Sequence, residues 1–236
     1  MTELPLALSF FDPARQLSGT ARAGMTLLFE GQTPTTIAEG PEIVQAADGA
    51  LTARLPDRFE LRFEPVAEAA RLSGLSITLG TVTGTVGDTP VDCLGTATET
   101  LEPPAWSELD AVRGVTAVFG PDRAAFVLAR RPRGVMGHGH ELVQAALLID
   151  GELAAVEDAR LSTVYDGDGR QRNAGLELWL PEEDFPRRVS GTVQAGASLS
   201  LEGLRVNAAM FGWMMEGREG VGLYELAVRD EPPEAA

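Results

Sequence analysis

Turn-forming residue pairs recur about every 8 to 12 residues along most of this 236-residue chain, and they restrict its fold more than any other feature. Asp48-Gly49, Gly87-Asp88 and Asp150-Gly151 each separate two short segments of strand-forming residues, and such pairs favour two-residue hairpin turns. From Phe59 to Phe63, apolar residues alternate with charged ones, which is the pattern of a half-buried strand. No long amphipathic helical pattern interrupts these segments. The sequence therefore predicts an all-β fold of roughly fifteen short antiparallel strands.

The segment from Gly80 to Trp106 divides the chain into two halves of similar length. It contains a hairpin and ends shortly after Pro103-Pro104, which cannot continue a central strand. Each half is a succession of strands without the short repeat of a propeller or solenoid. A short helix is predicted from Trp106 to Val112, because Ser107 occupies an N-cap position. The predicted domains are 1–105 and 106–229, followed by a disordered acidic tail at 230–236.

The charged residues exclude several classes of function. The net charge is −16, which disfavours nucleic acid and anionic membranes as partners. All 19 basic residues are arginine, so Schiff-base catalysis, a pyridoxal phosphate site and a P-loop are excluded. Cys93 is the single cysteine, which excludes an intrachain disulfide and a cysteine-based metal site. Without a membrane-length apolar run or a positively charged leader, we expect a cytoplasmic protein.

Four segments in a fixed order resemble the two-domain, lipocalin-like (calycin) superfamily that includes carotenoid 1,2-hydratases, AttH-like proteins and Diels–Alderase-type cyclases. The segments are SFFDPARQLSG, GTVTGTVGDTPVDCLGTATET, LLIDGELAAVEDARLSTVYDGDGR and MFGWMMEGREGVGLYEL. The resemblance implies two consecutive lipocalin-like antiparallel β-barrels or half-barrels. It also implies a cofactor-independent lyase, isomerase or cyclase that acts on a terpenoid, carotenoid, steroid or polyketide by acid–base catalysis in a β-barrel pocket.

One motif of these relatives is absent. After the glycine that corresponds to Gly95, many relatives carry an Arg/His-Asp-x-Ser-Trp-Gly-like motif, whereas residues 96–104 of this chain read TATETLEPP. Trp106 is the displaced counterpart of the motif's tryptophan. The loss of the polar residues favours an alternative function, a non-catalytic binding protein for an apolar ligand. In either case the expected partner is an apolar small molecule, and a homodimer is compatible with the sequence.

Both histidines lie in His138-Gly139-His140-Glu141. In an extended strand, His138 and His140 would point to the same face, where they could act in acid–base catalysis or bind a metal together with a carboxylate. The cupin barrels also begin a metal motif with His-x-His, but their third histidine has no counterpart here. The structural alternative is an exposed, glycine-rich loop. We include His138, His140 and Glu141 among the candidate catalytic residues, and we predict no metal site.

Glu225 is the fourth candidate catalytic residue. In a strand it shares a face with the apolar Val221 and Leu223, and burial of its carboxyl would raise the pKa and make it a proton donor. The alternative is a Glu at the edge of the core, paired with Arg205 or Arg229.

The candidate substrate-binding residues include the densest apolar cluster of the chain, near its end. Flexible thioethers and aromatic rings suit an adaptable pocket, and they suit an ordinary core equally well. Asp92 could face a cavity, although an Asp beside a turn is usually solvated. The set is Met210, Phe211, Trp213, Met214, Tyr224, Trp106 and Asp92. Cys93 is predicted to be a buried, inert thiol, and Asp166 and Asp168 are predicted to lie in a hairpin turn.

Overall fold

A computed structural model describes residues 5–135, 138–201 and 203–229. The strands of the N-terminal half are β1 (Leu6–Asp12), β2 (Leu17–Arg22), β3 (Met25–Glu30), β4 (Thr33–Ile37), β5 (Glu42–Gln45), β6 (Leu51–Leu55), β7 (Phe59–Pro65), β8 (Ala70–Leu72), β9 (Leu75–Val86) and β10 (Thr89–Thr100). Those of the C-terminal half are β11 (Leu109–Gly120), β12 (Arg123–Pro132), β13 (Leu142–Ile149), β14 (Glu152–Ala155), β15 (Asp158–Tyr165), β16 (Gln171–Trp179), β17 (Arg187–Leu201), β18 (Leu204–Met215) and β19 (Arg218–Arg229).

Each half is one curled, antiparallel sheet, and the two sheets share a topology. The first has the order β4-β3-β2-β1-β10-β9-β7-β6-β5, and the second has the order β14-β13-β12-β11-β19-β18-β17-β16-β15. In both, the first strand of the half pairs with the last one, so each sheet curls into a half-barrel. This confirms the predicted fold of two consecutive half-barrels.

Three hydrophobic clusters form the core. One fills the interior of the N-terminal half-barrel and includes Phe10, Leu55 and Phe63. A second fills the interior of the C-terminal half-barrel and includes Phe211 and Trp213. The third joins the two halves and combines residues from both sheets; we call it the seam. The seam includes Phe11, Leu27, Phe29, Phe126, Leu128 and Met210.

The hairpin turns follow the predicted chemistry with one difference in length. Asp150-Gly151 is a two-residue turn in which both φ angles are positive (52° and 85°), as a type I′ turn requires. Asp48-Gly49 belongs instead to a three-residue loop, which is closed by a hydrogen bond from the Ala46 N–H to the Ala50 carbonyl. The Asp48 side chain accepts a hydrogen bond from the Ala50 N–H, and this bond stabilises the three-residue loop.

One local prediction is wrong, and one of the two alternatives for the histidines does not apply. The predicted helix from Trp106 to Val112 is absent, because a strand begins at Leu109 and its alternate side chains enter the core. The described chain contains no α-helix, and within it no helix is long and apolar enough to cross a membrane. The two histidines do not lie in a strand; His138–His140 is a single 3₁₀ turn before β13, so the geometry expected of His-x-His in an extended strand does not apply.

Candidate functional site

The interior of the C-terminal half-barrel is filled by aromatic side chains. Phe211 stacks on Trp213 with 5.0 Å between ring centroids, and Tyr224 packs against Phe211 at 5.6 Å. All three side chains are buried. Gly191 leaves room for this stack, since a Cβ atom there would lie 2.3 Å from the Trp213 ring. Three predicted substrate-binding residues therefore lie together in the core. The sequence had left open whether they form an ordinary core or a pocket.

A polar network crosses the same interior. Arg113 on β11 is 1% exposed and donates hydrogen bonds to the hydroxyls of Thr163 (3.0 Å) and Tyr224 (3.2 Å). It also donates to the Leu161 carbonyl (3.3 Å) and forms an ion pair with Glu141, whose side chain is equally buried. The hydroxyls of Thr163 and Tyr224 are 2.7 Å apart. The guanidinium thus connects β11 to β15, which is an edge strand of the C-terminal sheet, and to Glu141, which immediately precedes β13.

The protonation states in this network follow from burial and charge. Burial raises the pKa of Tyr224 above its ordinary value, although Arg113 and Thr163 act in the opposite direction. Burial alone would lower the pKa of Arg113, but its neighbours Tyr224, Glu141 and Tyr165 raise it overall. Arg113 is therefore a permanent buried cation, and Tyr224 keeps its hydroxyl proton.

The sequence prediction missed Arg113 and Thr163. The signal for Arg113 was present: Leu109, Ala111, Val115 and Ala117 occupy one face of β11, and Arg113 is the charged residue among them. Assigning a helix to Val112 and its neighbours concealed this alternation. Thr163 carried no signal, because nothing local distinguishes it from other strand threonines.

Glu225 lies at the boundary between the halves. Its carboxylate forms an ion pair with Arg22 of the N-terminal sheet, at 3.2 Å between Oε1 and Nη2. The side chain is 24% exposed, so it is neither deeply buried nor freely solvated. The partner differs from the predicted Arg205 or Arg229. Arg22 and Glu225 are about two hundred residues apart in the sequence, and only the fold brings β2 and β19 close together.

The other candidates are dispersed. His140 is exposed, while the His138 side chain lies outside the described part of the structure. Asp92 is exposed on β10, and Met214 is 39% exposed. Trp106 is half-buried, and its backbone carbonyl accepts a hydrogen bond of 3.0 Å from Arg229 Nη1. Within the described residues, no three His, Cys, Asp or Glu side chains are arranged to hold a metal ion.

A cleft of about 600 Å³ lies between the two halves; we call it the inter-half cleft. Its base consists of the buried Asp12, Ser18, Phe29 and Met210, and its rim carries three exposed glutamines. The complete lining is Asp12, Pro13, Gln16, Ser18, Phe29, Gly31, Gln32, Val193, Gln194, Met210 and Val221. Its volume lies in the range of sites for small organic ligands. Of the candidate substrate-binding residues, Met210 lines this cleft.

Local backbone features position the cleft's lining. The β1–β2 turn returns through Gln16, whose φ of +52° is uncommon for a residue with a side chain. The Gln16 carbonyl accepts a hydrogen bond of 2.7 Å from the Gly31 N–H, which ties this turn to the end of β3. On the opposite side, a β-bulge between Val193 and Ala195 inserts Gln194 into β17. Bulges of this kind redirect side chains next to functional sites.

Asp12 is the titratable residue that lines the inter-half cleft. Its side chain is 2% exposed and accepts hydrogen bonds from the Arg15 N–H (3.1 Å) and from Arg15 Nη1 (2.8 Å). In the sequence Asp12 precedes Pro13 in a turn-forming pair, and it is not among the predicted site residues. Its burial results from the strand pairing on both sides of β1, which the local sequence does not show.

No protein-family model and no curated protein matches this sequence. Two solved structures share the architecture. An AttH-like protein from Nitrosomonas europaea is 12% identical, with a TM-score of 0.61 over 94% of this chain and 91% of that one. Kievitone hydratase from Nectria haematococca is 10% identical, with a TM-score of 0.57 over 96% of this chain and 89% of the other. At these identities the likeness establishes the fold: this chain has the two-domain, lipocalin-like architecture of those two proteins.

Proposed function

We propose that this protein is a cofactor-independent lyase or isomerase that acts on a small, largely apolar molecule in the inter-half cleft. The observation that carries the proposal is the inter-half cleft, whose lining combines Asp12, a buried and ion-paired residue, with the apolar Phe29 and Met210. A carrier needs only the apolar surface, whereas proton transfer needs a titratable group within the site. The architecture shared with a hydratase supports the same conclusion.

The chemistry that such a site can perform is the addition or removal of water. Asp12 forms an ion pair with Arg15, and in the proposed reaction its carboxylate first accepts a proton. In dehydration, Asp12 would take a proton from a carbon atom while the hydroxyl group on the adjacent carbon departs. The same proton, returned to the departing oxygen, completes a molecule of water and leaves a carbon–carbon double bond. Hydration is the reverse of this sequence.

The earlier candidates enter the proposal as alternatives to Asp12. Glu225 is positioned by Arg22 at the boundary of the halves, and Glu141 is positioned by Arg113. Both carboxylates are held by an arginine from a different strand, which gives each a structural role in addition to any catalytic one. His140 and His138 are the remaining proposals for an acid or base, in the 3₁₀ turn before β13.

The first experiment is mass spectrometry of an organic extract from the purified protein, with a denatured-protein extract as the control. Any co-purified compound, and kievitone as the first compound tested otherwise, is then incubated with the protein and examined for gain or loss of water. Asp12→Asn should abolish conversion while the compound still binds. Asp88→Asn, which changes an exposed aspartate in a hairpin turn, is the matched control and should leave conversion intact.

The other variants complete this test. If Glu225→Gln, Glu141→Gln or His140→Ala abolishes conversion and Asp12→Asn does not, the assignment of Asp12 is wrong. If a compound co-purifies tightly and no variant or condition yields a product, the protein is a carrier. That alternative rests on the replacement of the relatives' polar motif by residues 96–104.

A further inference from the structure

The inter-half cleft presents several polar side chains that have no hydrogen-bond partner among the residues that the structure describes. Ser18, a largely buried residue, contributes a hydroxyl at the base, and Gln16, Gln32 and Gln194 contribute amides at the rim. Among the described residues, none of these four side chains makes a hydrogen bond to protein, although the structure contains many such bonds elsewhere. Polar groups that converge on a cleft without internal partners are available to a ligand.

Gln194 is held in place by a packing feature of the neighbouring strand. A Cβ atom on Gly212 of β18 would lie 2.6 Å from Gln194 Nε2, so the absence of a side chain at Gly212 makes room for this amide. The β-bulge in β17 supplies the extra residue, and Gly212 supplies the space. Two neighbouring strands therefore combine to keep the Gln194 amide at the cleft.

The charges of the lining restrict the ligand further. No basic residue lines the cleft, and Asp12 is its single charged residue. Arg15, which lies outside the lining, is already paired with Asp12, so an anionic ligand would find no cation in the cleft to bind it. A pure hydrocarbon would cover Ser18 and the glutamine amides without replacing their hydrogen bonds to water, which costs free energy for each group.

Given the proposed function, on which this inference rests, we infer that the substrate is an uncharged, oxygenated compound rather than a hydrocarbon such as a carotenoid precursor. Its apolar part packs on Phe29 and Met210, while its hydroxyl or carbonyl groups bond to Ser18 and Gln194. Both side chains can donate and accept hydrogen bonds, so they serve hydroxyl and carbonyl groups equally well. Gln194 and Ser18 are therefore specificity-determining residues.

The test compares flavonoid probes by isothermal titration calorimetry. Naringenin carries hydroxyl groups on the ring system that flavanone presents without them. Flavone-8-acetic acid carries a carboxylate on the flavone ring system, and flavone is its uncharged control. We expect naringenin to bind about tenfold more tightly than flavanone, because two neutral hydrogen bonds discriminate by roughly that factor. The carboxylate probe should bind more weakly than flavone. Gln194→Leu and Ser18→Ala should each reduce the preference for naringenin, whereas Gln45→Leu, on the exposed edge strand β5, should not change it.

Equal affinity for naringenin and flavanone, binding of neither, or a preference that survives both variants would overturn this inference. Tighter binding of the carboxylate probe would overturn the inference that the substrate is uncharged. These results are separate from the fate of the proposed function, since the titrations need no turnover. A clear preference in a protein that converts no compound would leave the ligand class standing and make the protein a carrier.

Discussion

Arg113 and Glu141 are a buried ion pair in which each charge needs the other as its counter-ion. Each side chain is 1% exposed, so either charge alone would be buried without a counter-ion. Glu141→Ala should lower the free energy of unfolding by about 3–5 kcal/mol, because it leaves the Arg113 guanidinium unpaired in the interior. The double variant Arg113→Met, Glu141→Leu should be close to the wild type in stability, since it removes both charges. Urea unfolding measures both changes.

The control for this pair is Arg62–Glu64, an ion pair in which both side chains are more than half exposed. Glu64→Ala should cost less than about 1 kcal/mol, because water screens an exposed pair. If Glu141→Ala cost no more than Glu64→Ala, the buried network would contribute little to the stability of the C-terminal half.

Cys93 provides a prediction of pH dependence. Burial raises the pKa of its thiol from 9.0 to about 12, with Asp12 and Asp92 acting in the same direction. At pH 9 about half of the thiol is ionised in the unfolded chain but only about a thousandth in the folded protein. Because the thiolate is the reactive form, iodoacetamide should modify the folded protein far more slowly than the protein in urea.

The shape of the pH profile tests the same pKa. In the folded protein the modification rate should rise about tenfold per pH unit from pH 9 to 11, whereas in urea it should level off above pH 9. The sign for stability follows from the raised pKa: the contribution of this thiol is complete below pH 9 and is lost as the pH rises towards 12. A folded-state profile that levels off near pH 9 would show an ordinary, accessible thiol.

Replacing glycine by alanine should have opposite effects on stability at two positions of the neighbouring strands β11 and β19. A Cβ atom on Gly222 of β19 would lie 1.9 Å from the Thr116 carbonyl oxygen, and backbone cannot move aside cheaply. Gly222→Ala should therefore lower the free energy of unfolding by about 3 kcal/mol. Gly114 on the adjacent β11 has no atom within 4 Å of such a Cβ, so Gly114→Ala should be neutral or add about 0.4–1 kcal/mol. Thermal unfolding of the two variants checks the contrast.

The elements of this fold were largely predictable from the sequence, because each hairpin depends on residues within it. Asp150-Gly151 specifies its turn through two positive φ angles, and the alternation of β7 appears directly in its buried and exposed positions. The start of β11 was not predictable in the same way. An N-cap serine favoured a helix locally, but the pairing of β11 with β12 and β19 stabilises the strand from outside the segment.

The candidate site could not be predicted, because its residues meet only in the folded molecule. Asp12 and Phe29 come from the first half of the chain, while Val193 and Met210 come from the end of the second. Strand β12 shows the same limit for the seam. Its residues Arg123–Ala129 are all buried, with Val127 facing one cluster and Phe126 the other. The apolar run of β12 predicts that both of its faces are buried. It does not predict which sheet packs against the strand.

The seam determines how the whole molecule unfolds. Phe11, Leu27 and Phe29 of the first sheet share one hydrophobic cluster with Phe126 and Met210 of the second, and Arg22 pairs with Glu225 across the boundary. If either half unfolded alone, the other would expose its side of this cluster to water. We therefore expect the two halves to unfold in a single cooperative transition.

The distribution of tryptophan makes this expectation testable. All three tryptophans, at positions 106, 179 and 213, lie in the C-terminal half, so their fluorescence reports on that half, whereas far-UV circular dichroism reports on both. Leu55→Ala removes buried methyl groups from the interior of the N-terminal half-barrel and should cost about 2–5 kcal/mol. With coupled halves, the fluorescence midpoint in urea should fall together with the dichroism midpoint, although the substitution is remote from every tryptophan. With independent halves, the fluorescence midpoint would stay at its wild-type value while the dichroism curve separated into two steps, and the seam would then be a contact surface rather than a shared core.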